Sequence, residues 1–117
     1  MPNIYVMGLD REEARAFSRL ATDFFERELG TPREHVYVYR QEVTLFRDGV
    51  ESAMPMILRL SWVRRPPDHF PRAARGLTRI VREDLGRTNP VQVELHEKWD
   101  DAMVDGELCS AWAAKNR

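Results

Sequence analysis

Pro2 stands directly behind Met1 and opens the stretch Asn3-Ile4-Tyr5-Val6. If Met1 is trimmed, Pro2 becomes a secondary amine at the chain terminus. An unperturbed α-amino group titrates at about 7.7–8.0, nearer to neutrality than a lysine. Burial and a nearby arginine both push it lower, because both disfavour the ammonium form. A general base works best with a pKa near the working pH. An amino-terminal proline held on a strand therefore has the properties of a general base. With Met1 retained, the same nitrogen is an amide and has no basicity. The competing reading of this dipeptide is an accident of the start codon.

Other side chains are candidates to complete such a site. An anionic substrate calls for a fork of donors, which arginine supplies best. Arg40, Arg64 and Arg65 are the candidates, each against the alternative of an ordinary surface charge. Tyr39 and Tyr37 can donate to an enolate oxygen, against the alternative of aromatic packing between subunits. Trp99 is a candidate pocket wall; an amphipathic residue at a strand end is the plainer reading. Arg59 is expected to pair with Glu94. His35, His69 and His96 share no ligand spacing with each other or with Cys109, so no metal site is expected. Without a Gly-rich phosphate loop, a G-x-S-x-G elbow or a Cys–His signature, no cofactor is expected either.

The elements that must position these residues follow from periodicity. Ile4 and Val6 alternate with Asn3 and Tyr5, predicting a half-buried first strand. Asp10 and Glu13 form a capping box, and Ala14, Phe17, Leu20, Ala21, Phe24 and Leu29 make one stripe. Gly30 and Pro32 stop that helix, which spans residues 11–29. Val36 to Phe46 is rich in β-branched and aromatic residues and predicts a second strand, followed by an Asp48-Gly49 turn. Met56 to Val63 predicts a third. Asp68 is the expected cap of a second helix, whose stripe is Phe70, Ala73, Ala74, Leu77, Ile80, Val81 and Leu85 and which Gly86 ends. Val91, Val93 and Leu95 alternate with Gln92, Glu94 and His96 as a fourth strand. In the tail, Asp105-Gly106 suits a short hairpin, and Ser110 to Arg117 suits a helix or a frayed end.

The punctuation repeats. Asp10 and Asp68, Gly30 and Gly86, Pro32 and Pro90 recur at offsets of roughly 55–58 residues. The expectation is an α+β fold: two tandem βαβ units, 3–46 and 56–97, with a tail over 98–117. Together they form one domain, 1–117. Right-handed crossovers make the strands of each unit parallel and put both helices on one face of a four-stranded mixed sheet. The other face carries Asn3, Tyr5, Tyr37, Tyr39, Gln41, Arg59, Ser61, Gln92, Glu94 and His96. It is either solvated or turned towards other copies of the chain.

Composition is that of a globular protein, 43% apolar and 32% charged. A net charge of −1, with arginines interleaved among acids, argues against a nucleic-acid groove or an anionic membrane as partner. A single cysteine forms no internal disulfide and fits a reducing, cytoplasmic setting. Neither a signal-peptide pattern nor a spanning apolar run is read in the sequence.

Pro2 on a first strand, the tandem βαβ units and the chain length together resemble the tautomerase superfamily, the group of the oxalocrotonate tautomerases and macrophage migration inhibitory factor. Within it the chain is most similar to a small bacterial branch of tautomerase-like proteins. That likeness rests on Met54-Pro55-Met56, Leu60-Ser61-Trp62, Arg64 and Asp105-Gly106, and spans residues 2–109. It implies a homotrimer with pockets at subunit boundaries and Pro2 at their base. It also implies cofactor-independent proton transfer on a small keto or enol carboxylic acid. Alternatives within the same likeness are a hydratase, a dehalogenase, a decarboxylase or a non-catalytic trimeric binding protein. The chain departs from the pattern at Tyr37, where the oxalocrotonate enzymes place an arginine. It departs again at Ala102-Met103 and Leu108-Cys109, where the branch has two tyrosines and His-Phe.

Overall fold

The computed structural model describes residues 1–99 and 101–116. Its centre is a four-stranded sheet in the order β2-β1-β5-β6, built from β1 (Asn3–Met7), β2 (Tyr37–Gln41), β5 (Met56–Val63) and β6 (Val91–Lys98). β1 runs parallel to β2 and antiparallel to β5, and β5 runs parallel to β6. Each parallel pair is bridged by a helix, α1 (Arg11–Leu29) and α2 (His69–Arg79). The expected α+β fold with a mixed sheet and two tandem units is therefore present.

The alternating residues sort as expected. Ile4, Val6, Leu58 and Leu60 point to the helices and are fully buried, as are Phe17, Ala21 and Phe25 of α1 and Ala73 and Leu77 of α2. The helices cross closely at Gly76, where a Cβ would sit 2.1 Å from the Phe24 ring. At the start of α1 the capping box is complete: Glu13 N–H donates to Asp10 Oδ1 (2.8 Å) and Asp10 N–H to Glu13 Oε1 (3.1 Å). Glu13 also receives Arg87 through two bonds of 2.7 and 2.6 Å, tying α1 to the segment after α2. The Arg87 hydrogen bond holds the Glu13 carboxyl below its ordinary value.

Three expectations need correction. The second strand does not run from Val36 to Phe46. β2 ends at Gln41, and Leu45–Arg47 (β3) pairs instead with Val50–Ser52 (β4) in a separate hairpin, so the sheet part of the first unit closes at 41 rather than 46. The turn explains the switch. Asp48 and Gly49 both have positive φ (50° and 78°), the mirror-image turn whose twist suits a two-residue hairpin. Asp68 does not cap α2. The Pro66 carbonyl accepts from His69 N–H, which turns the chain early and leaves Asp68 with helical angles and no cap hydrogen bond. The second helix is also not uniform. Ile80–Asp84 form a wider π turn, closed by Leu85 N–H on the Ile80 carbonyl (3.0 Å), which keeps Ile80, Val81 and Leu85 on the core side.

In the tail, β7 (Met103–Val104) and β8 (Glu107–Leu108) form the expected hairpin at Asp105-Gly106, and α3 spans Cys109–Lys115. Arg117, the last residue of the expected tail helix, and Asp100 lie outside the described residues. No helix among the described residues is long and apolar enough to cross a membrane.

Phe17 and Leu77 are both inaccessible and lie on the facing stripes of the two helices. Phe17→Ala or Leu77→Ala should each cost about 2–5 kcal/mol in chemical denaturation. A loss below about 0.5 kcal/mol would mean that these positions are not in a packed core.

Candidate active site at the amino terminus

β1 is an interior strand, so Pro2, the residue just before it, enters the protein between two neighbours. Proline suits that position because it has no N–H to donate to a ladder. The Pro2 carbonyl accepts from Tyr37 N–H at 3.2 Å, which fixes the residue to β2. The Pro2 side chain is fully buried.

Beside Pro2 lies a cavity of about 300 Å³. Met1 and Pro2 form one part of its wall, Trp62 and Arg65 another, and Trp112 with Asn116 of the tail a third; Thr31 and His35 close it from the end of α1. Local structure places each group. Gly30 takes a left-handed conformation (φ 67°) that ends α1 and sends Thr31 inward, where it is buried. The Trp62 ring is held edge-on by Phe25 at 5.2 Å, and the Arg65 guanidinium lies over that indole, 5.5 Å from its centre. Such a stack helps to orient the cation. α3 folds back because Cys109 and Ala113 are buried on one side of it, and that carries Trp112 to the cavity.

The electrostatics favour a neutral amine. The terminal amino group, here on Met1, is lowered from 8.0 to about 6, first by burial and then by the positive charges of Lys98 and Arg65. Lys98 itself is lowered, chiefly by burial, and its Nζ donates to the Met1 carbonyl at 3.4 Å.

Of the residues singled out in the sequence, Pro2 and Arg65 come together. Arg40 faces the helices opposite Val6, roughly 13 Å along the sheet from Pro2. Its Nε donates to the Leu9 carbonyl (2.9 Å), and it lines a different groove with Arg11 and Arg15. Tyr39 lies on the polar face, stacked on Tyr5 at 4.9 Å, with its hydroxyl near Asn3 Oδ1 (3.5 Å). Arg64 pairs with Glu97 at 3.0 Å and covers the Trp99 ring at 5.2 Å, so these two sit together but outside the Pro2 cavity. Arg59 and Glu94 pair as expected at 3.2 Å. Sequence reasoning missed Trp62, His35, Trp112 and Lys98. The buried spacing Cys109, Ala113 was a signal for α3, and extending the alternation of β6 by two residues would have put Lys98 in phase with His96.

Among solved structures, a domain of unknown function (DUF1904) from Sebaldella termitidis ATCC 33386 superposes with a TM-score of 0.79 at 22% identity, over 92% of this chain and 99% of that one. A fused 4-OT, a wild-type symmetric trimer, gives 0.71 at 21% identity over 97% of both chains. Pt0534 inactivated by 2-oxo-3-pentynoate gives 0.72 at 19% identity, over 94% of this chain and 97% of that one. No family model and no curated protein matches the sequence. The fold is the one that these solved structures share, the fused 4-OT among them.

In protein that carries Met1, the terminal amine should titrate near 6, followed by the carbon shift of Met1 Cα in a pH series. Between about 6 and 8 the folded chain then binds fewer protons at this group than the unfolded chain, so stability rises with pH across that window. A midpoint near 8 would show that the amine is neither buried nor close to Lys98 and Arg65.

Proposed function

We propose that the chain, after removal of Met1, is a cofactor-independent tautomerase acting on a small keto or enol carboxylic acid. Pro2 is the general base and Arg65 the first cation for the carboxylate. The observation that carries this reading is the burial of Pro2 beside a cavity with aromatic walls, where the terminal amine is already lowered to about 6. That value belongs to the Met1 amine; burial and the Lys98 and Arg65 charges would act in the same direction on a Pro2 amine, favouring the unprotonated form that accepts a proton from an enol or from a carbon beside a carbonyl. Trp62 and Trp112 form apolar walls for the rest of the acid. The inactivation of the structural neighbour Pt0534 by a 2-oxo acid agrees with a carbonyl acid as ligand. Arg40, Arg64, Tyr39 and Trp99 stay candidates for a site completed by a second copy of the chain. The proposed setting is the cytoplasm, where Cys109 stays a thiol.

The proposed assembly is a homotrimer with the polar sheet faces turned inward. Tyr37 and Tyr39 are each 45% exposed on that face, and Phe46 and Val50 of the β3–β4 hairpin are 63% and 65% exposed. A monomer leaves all of this apolar surface in water. Light scattering at micromolar concentration should give about three times the chain mass of 13.7 kDa; a mass near 13.7 kDa would sink the assembly.

Catalysis is tested on trimmed protein, confirmed by intact mass. It should ketonise enolised phenylpyruvate faster than buffer, with kcat/KM rising as pH passes upward through the Pro2 pKa. Pro2→Ala should lose most of that rate, about 10²–10⁴-fold. A Pro2→Ala protein as fast as the wild type overturns the base assignment. A profile that falls with rising pH assigns Pro2 the acid role of a hydratase or decarboxylase. Trimmed protein inert towards several keto acids would favour a binding protein.

A further inference from the structure

Met1 is shared by two neighbourhoods. It forms part of the cavity wall, and its carbonyl is the acceptor for Lys98 Nζ at 3.4 Å. That carbonyl carbon is bonded to the Pro2 nitrogen, so the Lys98 ammonium lies one carbonyl group away from the proposed base. The sheet register explains the meeting. Lys98 ends β6 opposite Val63 of β5, and the β1–β5 register, continued two residues before Asn3, sets Met1 opposite the same Val63. Lys98 is half-buried and makes no ion pair among the described residues. Its position is set by strand pairing rather than by a flexible loop.

Resting on the proline-base reading, we propose that Lys98 is the oxyanion anchor of this site, exposed to ligand only when Met1 is removed. Cleavage of the Met1–Pro2 bond does two things at once. The Pro2 nitrogen gains a free lone pair, and the Lys98 ammonium loses its acceptor. A partly desolvated ammonium without a partner is costly, so an anionic oxygen of the ligand takes the place of the Met1 carbonyl. Because Met1 stands between Lys98 and the cavity, its loss joins the two.

The chemistry balances without any further reagent. Pro2 nitrogen takes the O–H proton of an enolised 2-oxo acid, and the oxygen becomes anionic beside the Lys98 ammonium. The electron pair of the carbon–carbon double bond then takes the proton back from the Pro2 ammonium at the adjacent carbon, and the carbon–oxygen bond becomes a carbonyl. Lys98 keeps its own protons throughout. Arg65, held over Trp62, supplies the second positive charge, at the carboxylate end of the ligand. The ligand class is therefore a small 2-oxo acid with two oxygen sites, one for each cation, and a planar or apolar remainder for Trp62 and Trp112. Lys98 has a second effect. Its charge beside Pro2 disfavours the Pro2 ammonium, in line with its lowering of the Met1 amine.

The test compares trimmed wild type, Lys98→Met and Lys98→Arg, each checked for fold by circular dichroism and for mass. Phenylpyruvate binding is measured by calorimetry in a Pro2→Ala background, so that it does not depend on turnover. Lys98→Met should bind at least about tenfold more weakly, as expected for a lost hydrogen bond to a charged group, and Lys98→Arg should recover most of the loss. In the Pro2-bearing Lys98→Met protein, the Pro2 amine should titrate at higher pH than in the wild type, a shift that a merely structural role would not produce. Phenylpyruvate affinity in Lys98→Met within twofold of the control, or no phenylpyruvate binding by the control itself, overturns the anchor. If Pro2→Ala keeps full activity while Lys98→Met still loses affinity, the base assignment fails and the anchor stands. Should Lys98→Met not fold, Lys98→Gln takes its place with the same expected losses.

Discussion

The placement of β1 inside the sheet is the constraint on which the rest depends. Its backbone is paired on both sides, with Tyr37 to Gln41 on one and Ile57 to Ser61 on the other. Its inward side chains, Ile4 and Val6, are fully buried. Both ends of the strand are fixed as a consequence. At the far end Gly8 has φ 107°, and a Cβ there would sit 2.9 Å from the Pro55 carbonyl oxygen, so the chain leaves the sheet through a residue without a side chain and goes straight into the capping box of α1. At the near end Pro2 has no freedom to fray. A terminus on an edge strand is usually mobile and solvated. Here the terminus starts in the protein interior, and its amine inherits that environment.

The three largest influences of that environment act in one direction. Burial disfavours an ammonium, and so does each of the two cations near it. Buried Cys109 opposes them, as the smallest of the four influences. The aromatic walls matter for the same reason. Trp62 and Trp112 line the cavity beside the amine, and charge interactions lose less to screening beside apolar walls than in open solvent. A terminal amine of lowered pKa, the nearby charges of Lys98 and Arg65 and the aromatic lining are thus consequences of one placement rather than separate devices.

What the sequence disclosed follows the range of the interactions involved. Local signals were legible: the Asp10–Glu13 box, the stop at Gly30, the turn at Asp105-Gly106 and the alternation of β1, β5 and β6 depend on neighbours a few residues away. The failures occurred where two local rules competed. Val43 to Phe46 has the composition of a strand, but the Asp48-Gly49 turn pulls Leu45–Arg47 into its own hairpin. Asp68 has the composition of a cap, but Pro66-Pro67 turns the chain too early. The candidate site was half legible. Pro2 is read from its position, and Arg65 from its type. Trp112 and Lys98 reach the amine from 110 and 96 residues away, through the fold-back of α3 and the register of β6. No local pattern marks such a meeting; only the strand order does.

The polar sheet face is built to tolerate either water or a second copy. Its charged groups already satisfy one another: Arg59 donates to Glu94, and Gln92 Nε2 donates to the other oxygen of the same carboxylate (2.6 Å). In water such exposed pairs contribute only about 0–1 kcal/mol. Their effect is greater on what covering the face would cost. An unpaired Arg59 or Glu94 buried by a neighbour would carry the full penalty of an uncompensated charge, whereas the pair loses only part of its hydration. The Tyr39 hydroxyl near Asn3 is placed in the same way. The stacked rings of Tyr5 and Tyr39 then offer a flat, largely apolar surface that needs no further partner for its polar edge. Pre-satisfied polar groups around an aromatic platform lower the cost of association without requiring it. Tyr37, paired in register with Asn3 just after Pro2, links that platform to the amino-terminal site. Anything that covers the platform therefore also bears on the strand end that holds the proposed base.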